Sequence, residues 1–491
     1  MSKHLWYSIG TRTLRLAVVI SANTAIIALF FVCPLFAQGA DGPELGKAVG
    51  VWVGPIKARA IELRVALKIV ADDAGKLSAK FDSLDQGVKD MPVDSVMIID
   101  GTLTAELKVI KGRFVGKLNE KQQEIAGTWT QGTVSLPLIL KKTEGDLLKR
   151  PQEPRPPFPY QTVEIQFDNR TDNVTLAGTL TVPKGRGPFP ALVLITGSGP
   201  HDRDASHLGH RPFLVLADYL TRRGIAVLRY DDRGVGKSKG DFVRSTSQDF
   251  KRDVAAALDF LGSRSEIDAR RIGLCGHSEG GIIAALVASN NSKVASLVLL
   301  ASPGVPGEEI IYRQVELMSR SMGASEDDIA RQTGRQKKLF ASMKQDPQGT
   351  HLLETMKDLI ATIPSESERK AAEQTLAVRA ATIGSPWFRM FLVLDPRDAL
   401  QRVTCPVLAI SGEKDLQVDP AQNLPQIEAA LKAGGNRDAT ARTLPGLNHL
   451  FQTCQTGAAS EYGKIEETFA PDALSVIGDW VVERMKPRTA K

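Results

Sequence analysis

The sequence predicts an α/β protein: a mostly parallel sheet clad by helices, carrying a helical insertion and preceded by a small antiparallel β domain. Three observations lead there. Continuous apolar runs at 191–195, 225–228, 272–275, 297–300 and 407–410 alternate with helical stretches, the signature of strands buried on both faces. Upstream, from about Val49 to Lys142, short runs alternate polar and apolar residues between turn signals such as Asp73-Ala74-Gly75 and Lys111-Gly112. Between Pro303 and Arg402 the chain turns to long charged segments rich in Ala, Lys, Glu, Gln and Met, which read as helices.

Taken in order, residues 1–37 place Lys3, Arg12 and Arg15 ahead of an apolar run from Leu16 to Phe36 that ends at Ala37-Gln38. That is the layout of a secretory signal, and it predicts a periplasmic or secreted protein. Left uncleaved, the run would approach the length of a membrane anchor; Ser21, Asn23 and Thr24 dilute it. Cys33 follows Val32, which argues against a lipoprotein anchor. The whole chain of 491 residues is 42% hydrophobic and 24% charged, so there is length for two or three packed domains. Its net charge of +6 falls by three once the signal's cations are removed, too weak an excess to imply a nucleic-acid partner. Cys275, Cys405 and Cys454 would remain, an odd number without metal-type spacing.

Residues 38–145 form the expected all-β domain, with Trp52 and Trp129 in its core. The prolines of Lys149-Arg150-Pro151-Gln152-Glu153-Pro154-Arg155-Pro156-Pro157-Phe158-Pro159 mark 146–161 as an extended linker. Beyond it, 162–302 and 403–491 make the α/β domain, which opens with two alternating strands at 163–167 and 174–182. The segment 303–402 is inserted as a helical cap.

Within the α/β domain, Gly276-His277-Ser278-Glu279-Gly280 sits after a predicted strand and before a predicted helix, where the G-x-S-x-G elbow must sit to expose its serine. A serine capping a helix is the bland alternative. Serine needs a base, itself oriented by a third group, to act as a nucleophile. Of seven histidines, His4 lies in the signal, His277 is the variable residue of the elbow and His351 falls in the insertion. His201, His207 and His210 precede the serine; His449 alone follows the last predicted strands, in the turn-rich Pro445-Gly446-Leu447-Asn448-His449. It is the expected base. The loop after the 407–410 run offers Glu413, Asp415 and Asp419. Asp419 precedes Pro420 and reads as a helix N-cap, which leaves Asp415 as the orienting acid.

The order Ser278, Asp415, His449 resembles that of the α/β-hydrolases. More narrowly, Ile195-Thr196-Gly197-Ser198-Gly199-Pro200-His201-Asp202-Arg203-Asp204, Gly276-His277-Ser278-Glu279-Gly280-Gly281 and Ser411-Gly412-Glu413-Lys414-Asp415 resemble the EstD-type bacterial carboxylesterases, which also carry a small β domain ahead of the hydrolase. The resemblance implies hydrolysis of small-molecule esters without a cofactor or metal. An oxyanion hole requires two N–H donors. Glu279, directly after the serine, is one candidate; Ser198 and Gly199 are candidates for the other. The apolar group Phe388, Met390 and Phe391 at the far end of the cap is expected to line an acyl pocket or, equally, to be cap core.

Other motifs compete. Arg233-Gly234-Val235-Gly236-Lys237-Ser238 suggests a phosphate loop, but the first glycine it needs is Asp231, whose charge repels phosphate. Asp231, Asp232 and Arg233 are expected to pair locally around a tight turn. His201, His207 and His210 with Asp202 and Asp204 fit no strong metal template. Among rival functions, a peptidase resembling prolyl oligopeptidases would need a propeller longer than residues 38–145 allow. A binding protein with a vestigial site is the remaining alternative.

Overall fold

The computed structural model describes residues 44–486 apart from 59, 60, 122, 133, 146 and 148. The signal expected over 1–37, with Cys33, lies outside the described residues. Among the described residues no helix is long and apolar enough to cross a membrane.

Nine antiparallel strands follow one another: β1 (Gly50–Ala58), β2 (Ile61–Ala71), β3 (Leu77–Ser83), β4 (Val88–Pro92), β5 (Ser95–Ile99), β6 (Thr102–Leu107), β7 (Gly112–Asn119), β8 (Glu124–Gln131) and β9 (Val134–Thr143). Their order is β4-β3-β2-β1-β9-β8-β7-β6-β5, so the first strand pairs with the last and two meanders join into one sheet. The sheet curls on itself. Phe81 of β3 stacks on Trp129 of β8, centroids 5.2 Å apart, although three strands separate theirs in the sheet. Alternation explains the core, because β3 reads buried-exposed-buried-exposed and so places Leu77, Ala79 and Phe81 inside. Trp52, Leu67, Leu103, Phe114 and Leu140 join them.

A second sheet contains β10 (Gln161–Asn169), β11 (Val174–Val182), β12 (Phe189–Ile195), β13 (Ala226–Tyr230), β14 (Ile267–His277), β15 (Val294–Leu300), β16 (Val407–Gly412) and β17 (Ala439–Leu444), ordered β10-β11-β13-β12-β14-β15-β16-β17. In this order β10 pairs antiparallel with β11 and β11 antiparallel with β13, and every pair after that is parallel. Every residue of β13 and β16 is buried, as strands covered on both faces require. β17 has no apolar run because it is an edge strand whose Arg442 and Thr443 are exposed. Helices Pro212–Arg222, Ser247–Gly262, Glu279–Ala288, Pro420–Ala433 and Pro471–Arg484 complete this fold.

The proline-rich stretch is docked rather than loose. Gln152 donates to the Phe469 carbonyl (2.6 Å) and accepts from the backbone N–H groups of Thr468 and Phe469. Arg150 donates to the carbonyls of Leu208, Gly209, Gly463 and Ile465.

Pro306–Leu394, with Val243–Ser247, forms a compact unit of its own. Its main helices are Gly307–Ser321, Glu326–Gln345, Leu352–Ala361, Glu366–Ile383 and Pro386–Val393. Ser325, Ser365 and Ser385 cap three of them, each side chain accepting a backbone N–H from the third residue onward. Phe340, Met343, Leu352, Met356 and Leu392 make a small core.

Candidate active site

In a parallel sheet, groups that meet a ligand come from the loops at the carboxyl ends of the strands. Four such loops matter here, after β12, β14, β16 and β17.

After β14 the backbone turns straight into the helix Glu279–Ala288. Ser278 takes φ 54° and ψ −124°, a conformation that costs a non-glycine residue about 1–3 kcal/mol and that the surroundings must impose. They do so through backbone bonds: Ser278 N–H donates to Leu300 O (2.8 Å), and its own carbonyl accepts from Gly281 N–H (2.9 Å). Sterically the turn admits only glycine at two points. A Cβ on Gly276 would stand 2.1 Å from Gly280 O, and one on Gly280 would stand 2.3 Å from Ile195 O.

After β16, Asp415 is buried and accepts three hydrogen bonds. Gln417 and Val418 donate their backbone N–H groups to Oδ1, both at 2.8 Å, and His449 Nδ1 donates to Oδ2 at 2.7 Å. The other two acids of this loop are engaged elsewhere. Asp419 accepts from Ala421 N–H as an N-cap, and Glu413 accepts from Gly446 N–H. His449, also buried, therefore has one ring nitrogen fixed by a carboxylate. Among the described residues no hydrogen bond joins the Ser278 hydroxyl to the other ring nitrogen.

His277, set aside in the sequence as the elbow's variable residue, turns out to join the two loops. Its Nε2 donates to the His449 carbonyl (2.9 Å), and the two rings lie 4.7 Å apart. Burial, with the His449 charge adding, pushes it down to about 3, so it stays neutral at physiological pH. No local sequence signal could have marked this contact, since 172 residues separate the partners.

The loop after β12 comes close to the serine: a Cβ on Gly197 would lie 3.1 Å from Ser278 Cβ. Ser198 Oγ donates to Glu279 Oε2 (2.7 Å), tying this loop to the helix that begins after the serine. Gly199 has φ +103°, which suits glycine alone. Asp232, after β13, holds the loop at both ends by accepting from Thr196 Oγ1 (2.7 Å) and from His201 N–H (2.9 Å). Desolvation, with Asp253 and Glu279 nearby, raises Asp232 to about 8. The local pairing expected of Asp231, Asp232 and Arg233 is thus replaced by longer-range contacts: Asp231 pairs with Arg203, and Arg233 with Asp172 and Asp253.

Of the histidines ahead of the serine, His207 and His210 pair through their backbones. His210 is buried, with Nδ1 2.9 Å from Thr468 Oγ1 and Nε2 2.9 Å from Tyr462 O. Asp202 accepts from Asp204 N–H within its own turn, and Asp204 pairs with Arg229. Among the described residues no group of His, Cys, Asp and Glu could hold a metal ion. In the helical unit, Phe388 meets Phe340 edge-on at 5.8 Å, Phe391 stacks on Trp387 at 5.4 Å, and Met390 is half-buried. Phe391 also backs directly onto Gly307, where a Cβ would lie 2.0 Å from its carbonyl. Phe388 is half-buried against the unit's core, and Phe391 is buried.

A strained serine between β14 and a helix, in a sheet of this order, defines the α/β-hydrolase fold. The profile of the family described as "Serine aminopeptidase, S33" matches residues 210–453. Esterase EstD of Thermotoga maritima is 27% identical over 279 residues, 56% of this chain and 58% of that one. The uncharacterized protein PA2218 of Pseudomonas aeruginosa is 30% identical over 138 residues, 28% of this chain and 35% of that one. The chain thus spans well under two thirds of the length of these curated relatives. Among solved structures, the Pyrococcus furiosus esterase Pf2001 aligns with TM-score 0.40 and 17% identity, covering 70% of this chain and all of the other. The chain has an α/β-hydrolase fold and resembles Esterase EstD.

Proposed function

We propose that the protein is a serine hydrolase that cleaves carboxylic esters through an acyl-enzyme. The observation that carries this reading is the buried 2.7 Å bond from His449 Nδ1 to Asp415, on loops adjoining the strained Ser278. Asp415 fixes the tautomer that leaves His449 Nε2 unprotonated and able to accept a proton. Ser278 Oγ attacks the ester carbonyl while its proton passes to His449 Nε2. The carbonyl oxygen becomes an oxyanion stabilised by the N–H of Glu279 and one from Ser198 or Gly199. Collapse expels the alkoxide, which takes the proton from His449. Water then repeats the sequence on the acyl-serine, releasing the acid and restoring Ser278. The histidine and the acid play one role in both halves.

The test combines covalent labelling with turnover. A fluorophosphonate should modify wild-type protein at Ser278, and Ser278→Ala should lose both the label and hydrolysis of p-nitrophenyl esters, by roughly a thousandfold or more. Wild-type-like turnover by Ser278→Ala would end the assignment. The family profile's description as an aminopeptidase makes aminoacyl amides the proper second arm of the panel. Amide cleavage without comparable ester cleavage would keep the serine chemistry and overturn the substrate class. Export to the periplasm or beyond is a further part of the proposal, motivated by Lys3, Arg12 and Arg15 ahead of the Leu16 to Phe36 run; recovery of full-length protein in the cytosol alone would refute it.

A further inference from the structure

The reading above leaves the β domain without a task. Among the described residues, its contacts with the hydrolase fold include a group at Gly463, next to Tyr462. Arg64 of β2 and Arg150 of the docked stretch each donate from Nη2 to the same Gly463 carbonyl, both at 3.1 Å. Two cations drawn to one oxygen repel each other, so the arrangement exists only where other groups hold both in place. Arg64 is held by Asp85, which accepts from its Nε (2.9 Å), its Nη2 (2.7 Å) and its backbone N–H (2.7 Å). Arg150 is held by the carbonyls of Leu208, Gly209 and Ile465. The surfaces touch closely. A Cβ on Gly463 would lie 3.3 Å from Asp85 Cα, and one on Gly87 would lie 3.2 Å from Leu208 Cα.

The gripped segment is joined in turn to both loops of the site. The Tyr462 hydroxyl accepts from Gln417 Nε2 (3.1 Å), and Gln417 donates its backbone N–H to Asp415. On its other side, the Tyr462 carbonyl accepts from His210 Nε2, and that ring packs against Gln452, whose Nε2 donates to the Glu467 carbonyl (3.0 Å). Gln452 bonds Asn448 through both backbone and side chain, and Asn448 immediately precedes His449.

We infer that Arg64 and Arg150 are positioning residues: by gripping Gly463 they hold Tyr462, and through it keep the Asp415 and His449 loops in register. The inference rests on the proposed serine-hydrolase reading for its kinetic consequence, but its structural half stands apart from activity. Small displacements of positioned groups are costly in turnover, so Arg64→Ala and Arg150→Ala should each lower kcat about tenfold while KM stays within about twofold. Arg64→Lys, which keeps a donor beside Asp85, should recover part of the loss. Lys47→Ala removes an exposed ion pair to Glu120 in the same domain and should leave kcat unchanged.

The experiment measures ester kinetics, thermal midpoint and amide hydrogen exchange over 446–452 for these four variants of the full chain. Faster exchange at 446–452 in Arg64→Ala and Arg150→Ala, with the Lys47→Ala pattern that of wild type, is the expected result. Unchanged exchange and unchanged kcat in both folded variants would overturn the inference. Should either variant fail to fold, Tyr462→Phe, which removes only a hydroxyl, provides the decision: it should also lower kcat and loosen 446–452, and wild-type behaviour there would refute the grip. A wild-type protein that neither turns over esters nor takes the phosphonate would instead sink the proposed function, and the exchange result would still judge the grip.

Discussion

Asp415 and Asp419 differ by four residues and by everything that matters chemically. Asp415 spends two backbone N–H bonds on its own turn and offers its remaining oxygen to His449, whereas Asp419 caps a helix. Asn at position 415 would present an amide where an acceptor is needed and stabilise the wrong histidine tautomer, so Asp415→Asn should lower kcat roughly 10³–10⁴-fold. Asn caps a helix nearly as well as Asp, so Asp419→Asn should stay within about threefold of wild type. Steady-state kinetics on an activated ester ranks the pair, and the reverse ranking would move the role to Asp419. His277 invites a second comparison. Gln can still donate to the His449 carbonyl and Phe cannot, so His277→Phe should lose about tenfold in kcat while His277→Gln keeps most of it. Equal kinetics for the two would reduce His277 to packing.

At the scale of elements, the elbow depends on backbone crossing backbone at close range. Gly280→Ala would drive a methyl to within 2.3 Å of Ile195 O, a carbonyl of β12 that cannot rotate away. Overpacking of a rigid contact costs typically about 1–3 kcal/mol, so the variant should unfold at a clearly lower urea midpoint, and an unchanged midpoint would mean that the turn tolerates a side chain. The same glycines made this element legible in the sequence, since a strand, a Gly-x-Ser-x-Gly knot and a helix can be read from neighbours in the chain. β12 to β16 were legible because strands buried on both faces must be continuously apolar. β17 was not, because an edge strand carries Arg442 and Thr443 to solvent and looks like loop. His277, Asp232, Tyr462 and Gln452 escaped for a different reason. Their partners lie far along the chain, and a buried polar residue shows its purpose only when the fold brings the second half of each bond to it.

For the whole molecule, the consequence of that buried polar network is a pH dependence of stability. Burial and the neighbouring Arg150 charge push His210 down to about 4, so the folded protein keeps this ring neutral where an unfolded chain would titrate it near 6.5. Between those values the unfolded state binds more protons, and stability falls as pH falls. The stabilising contribution of His210 is therefore complete above about pH 6.5 and is lost progressively toward pH 4. Other groups titrate in the same range: Asp232, raised to about 8, contributes with the opposite sign, and His277, lowered to about 3, with the same sign. A difference measurement cancels both. His210→Gln removes the titrating ring, so the variant should be less stable than wild type at pH 7, and the gap between their thermal midpoints should narrow steadily on acidification to pH 5. Since Arg150 contributes to the depression, Arg150→Ala should leave the onset of the narrowing near pH 6.5 but make it smaller and end it at a higher pH. A gap that stays constant from pH 7 to pH 5 would show that His210 is protonated alike in folded and unfolded chains. The bond from its Nε2 to the Tyr462 carbonyl would then owe nothing to a neutral ring.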